Sequence, residues 1–183
     1  MHRCDERTHR DRTAPPEHRR GDRAMTTETA ARIIAFLETH HVLSLATCGR
    51  EGPHATSLLY AHDGLALFWV SDPGTRHSRE IEAEPRVAVT IASEFADFSN
   101  IQGLQLAGTA ACIASADRRD WHLLRLAERY PFLSRLASAP PALQAAYARS
   151  AAYRFEPHSA VMTDNTRGFG HKETLNLLTR GET

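Results

Sequence analysis

The chain has 183 residues, and 22 Lys and Arg balance 22 Asp and Glu to a formal charge of zero. That length supports one ordinary domain with its own core, and 42% hydrophobic residues are too many for wholesale disorder. The longest apolar run, Leu65–Val70, is too short to cross a bilayer, and the charged opening lacks the apolar stretch of a signal peptide.

Cys4, Cys48 and Cys112 lie far apart with no CxxC pair, so neither a disulfide framework nor a zinc knuckle is suggested. The expectation is a reduced, cytoplasmic protein with no membrane partner. Residues 1–25 hold seven Arg, five acids and three His, and no aliphatic side chain beyond Ala and Met. With no apolar face to bury, residues 1–24 read as a disordered tail, or as an over-extended start with initiation at Met25; residues 25–183 form the domain. Acids interleave with those arginines and no aromatics join them, so no nucleic-acid partner is expected.

Ala30, Ile33, Ile34 and Leu37 recur at helical spacing after Thr26 or Thr27 as N-cap. Val42–Cys48 has strand character, and the turn residues 49–53 lead to a second strand, His54–Ala61. After the short turn 62–64, the apolar run from Leu65 to Ser71 reads as a strand covered on both faces. Asp72–Pro73–Gly74–Thr75 breaks it, a helix Arg76–Ala83 follows, and Glu84–Pro85 ends that helix. Arg86–Ala92 alternates as a strand. Asn100–Ala114 is a long one, in which Gly103 and Gly108 suggest bulges or close backbone approach. Asp117–Tyr130 is an amphipathic helix with Trp121, Leu124 and Ala127 on its apolar face. Phe132–Ala137 and Pro141–Arg149 are helical, Tyr153–Thr163 returns to strand with a break at Pro157–His158, and Leu175–Leu178 adds an edge strand. The fold class that follows is mainly β (α+β): a split antiparallel β-barrel of about six strands with flanking helices.

Four blocks carry candidate chemistry. Ser71 to Arg79 joins a strand end to a helix start, where free amides, hydroxyls and Arg76 suit a phosphate. The same block also reads as a plain capped helix with Arg76, Arg79 and Glu80 facing water. In the second strand, alternation sends Thr56, Leu58 and Tyr60 to one face and Ser57 and Leu59 to the other, a surface along which a flat ring could lie. In Ile101–Gly108, Gln105 offers an amide beside Gly103. Thr163–Lys172 is polar and glycine-rich. The eight histidines after residue 25 include no HExxH spacing, and no metal site is expected.

Taken together, HATSLLY, HDG, LALFWVS and TRHSREIEAEPRVAV resemble the split-barrel flavin proteins related to pyridoxamine 5′-phosphate oxidase, over about Thr26 to Leu178. TDNTRGFGHK, with GLQLAG before it, is similar to the small YhbP-like bacterial branch. The resemblance implies FMN as cofactor. Ser71, Thr75, Arg76 and His77 would hold its phosphate, Thr56, Ser57 and Leu58 would line its ring, and Gln105 would touch it. It also implies a homodimer in which Asp164, Asn165 and Lys172 of one subunit reach the other's flavin. Departures accompany it. Tyr60 and Ala55 stand where true oxidases carry basic residues, the Arg-Leu-His substrate signature is absent, and His77 replaces a lysine. A flavin-dependent oxidoreductase of unknown substrate is therefore expected, rather than an authentic pyridoxamine 5′-phosphate oxidase; no catalytic residue is assigned. A non-catalytic flavin or haem binder and an F420-dependent reductase are the alternatives.

Overall fold

The structure, a computed structural model, describes the backbone of residues 16–177 and the side chains of residues 26–177. Helix α1 spans Pro16–Thr39, so it starts inside the segment read as a tail, and residues 1–15 lie outside the described residues. Thr26 and Thr27 are mid-helix rather than caps. Arg, Glu and Ala propagate a helix without an apolar face, and Pro16 suits its first turn. The buried stripe is Thr29, Ile33, Phe36 and Leu37, while Ile34 is half-buried.

Among the described residues eight strands form one antiparallel sheet: β1 (Val42–Gly49), β2 (Gly52–Leu59), β3 (Ala61–Asp63), β4 (Ala66–Ser71), β5 (Arg86–Ala92), β6 (Gln102–Cys112), β7 (Ala151–Asp164) and β8 (Lys172–Asn176). The order is β2-β1-β5-β6-β7-β4-β3, with β8 also on β7. The first half of β7 pairs with β4 and its second half with β8, while β6 runs along its other edge. β2 and β3 stand at opposite ends of this order, yet only Tyr60 separates them in sequence. The sheet must therefore curl until its ends meet at Tyr60. That is the split barrel.

Tyr60 is fully buried, its hydroxyl donates to the Leu37 carbonyl at 3.0 Å, and its own carbonyl accepts from Tyr130 Oη at 2.7 Å. The strand count exceeds the expected six because the segment 54–61 divides at this crossing and β8 is a full strand. β8 also starts three residues before the expected Leu175. Inside the curl pack Ile33, Leu37, Leu43, Leu45, Trp69 and Phe155, all without exposure.

Gly108 and His158 explain the expected break in β7. Ala107 pairs with Ser159 and Gly108 with Pro157, so His158 is an extra residue in a β-bulge. A Cβ on Gly108 would lie 2.1 Å from the Glu156 carbonyl oxygen. Gly103, expected to behave alike, has only ordinary contacts: its Cβ would sit 3.7 Å from the Ile91 carbonyl oxygen.

Helix α2 (Arg76–Ala83) packs on β1, β2 and β6. Helix α3 (Ala116–Arg129) buries His122 and Leu126, whereas Trp121 and Leu124 are 43% and 59% exposed. This corrects the expected apolar face. His122 is drawn in by edge-on contact with Phe68 at 4.5 Å and by Arg154 at 3.2 Å, which rotates the indole outward. Residues Pro131–Ser138 form 3-10 turns, and α4 spans Pro141–Arg149.

Arg129, at the end of α3, donates through Nη2 to the carbonyls of Leu37 and His40 at 2.7 and 2.5 Å, and its guanidinium lies 5.3 Å from the Tyr60 ring centroid. It closes the C-terminal end of α1, where carbonyls lack partners. Arg129→Met keeps much of the stem packing but loses these charge-assisted bonds, so a loss of about 2 kcal/mol in urea unfolding is expected. No change would show that the bonds contribute nothing net.

No helix among the described residues is long and apolar enough to cross a membrane.

Candidate functional site

The best-defined polar cluster sits where β4 runs into α2. Thr75 occupies the N-cap position, yet its side chain caps no amide of its own helix, and the first turn holds no acid. No carboxylate of the helix itself offsets the positive end of α2, and Asp72, before the cap, accepts from the Gly74 amide at 2.8 Å. Thr75 Oγ1 instead lies 2.9 Å from the Asp72 carbonyl, 2.8 Å from Ser78 Oγ and 3.2 Å from His77 Nε2. Ser71 Oγ is 2.7 Å from the same His77 nitrogen. Ser71, His77 and Ser78 are buried, while Thr75 is half-buried at the mouth. Three hydroxyls and an imidazole thus converge beside the first amides of a helix, the donor set of a phosphate site.

Burial pushes the His77 pKa down, and nearby His54 pushes it down further, against a smaller upward effect from Glu80. The net direction favours the neutral imidazole.

Arg76 is half-exposed on the neighbouring face. Its Nε donates to Glu80 Oε1 at 2.7 Å and Nη2 to the Gly52 carbonyl at 3.0 Å, while Nη1 lies 3.8 Å from exposed Glu51. These contacts tie α2 to the start of β2. The reading that places Glu80 in water with Arg76 and Arg79 is corrected here. Glu80 is only 8% exposed, and Thr47, itself buried, donates to its Oε2 at 2.5 Å. The bonds from Thr47 and then Arg76 hold the Glu80 carboxyl below the usual range. His54 pairs in register with Thr47, which brings β2 into the same corner.

Thr56 and Leu58 share the half-buried face of β2 with His54, as alternation requires, and Ser57 and Leu59 point outward. Ser57, Ser44, Thr90 and Gln105 are consecutive cross-strand partners over β2, β1, β5 and β6. Gln105 and Ser57 are therefore on the outer face of the sheet, three strands apart, and Thr56 on the inner face. Within one chain the predicted ring contacts do not converge. Of the predicted phosphate contacts, Ser71, Thr75 and His77 come together, and Arg76 does not bond to them.

The C-terminal residues form a separate corner. Asp164 is 4% exposed and accepts from Arg32, Gln102 and Thr166. Burial raises its carboxyl, but the bonds from Thr166 and Gln102 outweigh that and hold it low. Asn165 donates to the Phe98 carbonyl and accepts from the Gly170 amide. Both side chains shape the turn that ends in Gly168 and Gly170, whose φ angles of 137° and 75° favour glycine. Lys172 is exposed at the start of β8. Glu173 draws Thr29, Arg32, Arg167 and His171 together and fastens α1 to this turn.

Cavities of about 420 and 550 Å³ run along the end of β6, sharing Pro85, Ala110, Ala111 and Cys112. The first takes in Ser78, Ile81 and Glu82, the side of α2 opposite Arg76 and Glu80, and neither contains a predicted flavin contact. Of the cluster at the α2 start, Ser78 alone reaches either cavity.

Sequence reasoning gave no binding role to Glu80, which it placed in water, to Ser78 individually within the Ser71–Arg79 block, or to Thr47 or His54. The four-residue spacing of Arg76 and Glu80 on a helix was the available signal for the first.

The family model for pyridoxamine 5′-phosphate oxidase matches residues 29–155. A UPF0306 protein of Yersinia pseudotuberculosis serotype O:3 (strain YPIII) is 29% identical over 142 residues, covering 76% of this chain and 88% of that protein. Among solved structures, a conserved hypothetical protein from Mycobacterium tuberculosis superposes with a TM-score of 0.62 at 18% identity, covering 84% of this chain and 92% of its own. HutZ, the heme storage protein from Vibrio cholerae, gives a TM-score of 0.57 at 16% identity, covering 69% of this chain and 88% of its own. At these identities the two structures speak for the fold. With the family model spanning most of the domain and the curled antiparallel sheet beneath it, the chain belongs to the pyridoxamine 5′-phosphate oxidase-like split-barrel superfamily.

Proposed function

We propose that the chain binds FMN and acts as a flavin-dependent oxidoreductase in homodimeric form. The observation that carries the reading is the cluster of Ser71, Thr75, His77 and Ser78 at the uncapped first turn of α2. Its donors fit a phosphate monoester: hydroxyls and amides supply hydrogen bonds, and Arg76 at the rim supplies charge. Thr56 and Leu58 extend the same side of β2 away from that anchor toward a ring. The flavin, when bound, would supply two-electron redox chemistry. The chain's own part is to hold the phosphate, orient the ring and exclude water. A comparison of FMN with riboflavin, which lacks the phosphate, tests the anchor directly: FMN should bind at least about tenfold more tightly. Equal affinities would overturn it.

The outer face of the sheet supports the dimer. From Val42 to Cys48, Pro53 to Leu59, Ala88 to Ala92 and Gly103 to Cys112 no residue is charged, and Val42 and Leu59 are 48% and 43% exposed. An uncharged face four strands wide suits association with a second copy. It would bring one subunit's Ser57 and Gln105 to the other, which one chain alone does not achieve. Sedimentation at micromolar concentration should give twice the chain mass, and Leu59→Arg should shift it toward the monomer. A monomeric wild type would remove the dimer.

Binding should also depend on pH. The free site favours neutral His77, whereas a phosphate dianion favours its protonated form, so binding is expected to take up a proton. Affinity is then higher on the acidic side of neutrality and falls as pH rises toward 8, with the second phosphate pKa of about 6 limiting the trend from below. Titration calorimetry in buffers of different ionisation enthalpy reads the proton directly. His77→Gln should abolish the uptake. Uptake that persists in that variant would exclude His77 as its source.

A haem reading draws support from the structural likeness to a heme storage protein. A Soret band on haem titration, without FMN binding, would favour it.

A further inference from the structure

We infer that Glu80 is a positioning residue that sets Arg76 for the phosphate, and that Gly49 is small to make room for it; the inference rests on the FMN reading above. Glu80 lies between two elements and is bonded at both oxygens, to Thr47 of β1 and to Arg76 of its own helix. A surface i,i+4 pair would be free to change partners. This one is fixed, because its carboxylate is buried and its second oxygen is held by a buried threonine. The guanidinium is consequently held side-on through Nε, with Nη2 on the Gly52 carbonyl and Nη1 at the rim, 3.8 Å from exposed Glu51.

The space for this comes from Gly49. A Cβ there would lie 2.7 Å from both Cγ and Oε1 of Glu80, closer than real side chains approach. Gly49 does not adopt a positive φ, so its backbone alone would accept other residues. Its small size answers the carboxylate.

An acid beside an anion site opposes binding by charge, and its presence has to be compensated by order in the arginine. This makes the sign of a substitution informative. Glu80→Gln keeps the shape and an acceptor for Thr47 but removes the ion pair. If Glu80 positions Arg76, the FMN-over-riboflavin preference falls by about tenfold despite the lost negative charge. Gly49→Ala leaves every charge in place and displaces Glu80, and should lower the same preference. In ligand-free protein, the Arg76 Nε–H signal in nitrogen-15 NMR should exchange slowly with solvent in the wild type and rapidly in both variants.

An Arg76 signal that exchanges alike in all three proteins would overturn the positioning role. So would a Glu80→Gln chain that binds FMN more tightly. If riboflavin and FMN affinities fall together with the melting temperature, Glu80 serves only the fold, and the inference is again overturned. Wild-type protein that does not prefer FMN to riboflavin would instead remove the phosphate reading, with the positioning role falling alongside it. The preference is read before any variant, so the two failures are distinguished.

Discussion

Replacing Arg76 with alanine is expected to weaken FMN binding by roughly ten- to hundred-fold, the effect of losing a charge-assisted contact to phosphate. Riboflavin affinity should change little, because the ring contacts expected of Thr56 and Leu58 lie on β2 rather than on α2. Arg76 opens α2 directly after Thr75, and its partners are Glu80, Glu51 and the Gly52 carbonyl. Arg76→Lys should recover only part of the affinity, since an ammonium cannot hold Glu80, Gly52 and a phosphate oxygen through one planar group. Equilibrium titration by flavin fluorescence quenching measures both constants. An unchanged FMN affinity in Arg76→Ala would take the phosphate away from the α2 start.

Gly108→Ala is expected to cost on the order of 3 kcal/mol of folding stability. The added methyl would meet the Glu156 carbonyl oxygen at 2.1 Å and Pro157 Cα at 2.8 Å, and neither backbone atom can rotate away. Relief requires parting β6 from β7, the longest strand pair in the sheet. Gly103→Ala is the matched control on the same strand. Its nearest neighbours would be at 3.7 and 3.8 Å, so it should be neutral or slightly stabilising through the unfolded chain. Urea unfolding of the pair separates the two glycines. Equal stabilities would mean that the bulge at His158 absorbs the methyl.

These contrasts also show how much the sequence made legible. Arg76–Ala83, Arg86–Ala92 and Pro141–Arg149 were bounded as observed because Gly74, Pro85 and Pro140–Pro141 punctuate the chain. The barrel itself was readable from hairpin-length strand succession. The crossing at Tyr60 was not, since one residue between two strand ends leaves no turn signature. Three misreadings have tertiary causes. Helix α3 turns His122 inward because Phe68 and Arg154 meet it there. β8 begins at Lys172 because β7 supplies partners for Lys172 to Asn176, whatever their local propensity. Glu80 is buried because Gly49 makes room for its carboxylate beside Thr47, which no helical pattern reveals.

The candidate site was half legible. The strand-to-helix junction announced Ser71, Thr75, Arg76 and His77; Ser71, Thr75 and His77 come together, while Arg76 is engaged by Glu80 and the Gly52 carbonyl. Ser57 and Gln105 face outward from one chain, and Asp164 and Asn165 are engaged in their own turn. Parity along a strand says which residues share a face, but whether that face meets a second subunit depends on assembly.

The most direct measurement is the visible spectrum of the purified chain between about 350 and 500 nm, before and after adding FMN, with the mass of any chromophore released on denaturation. The account predicts a flavin doublet and FMN as the released or rebound species. A colourless protein that leaves added FMN free in solution, or one that releases haem in its place, would contradict it.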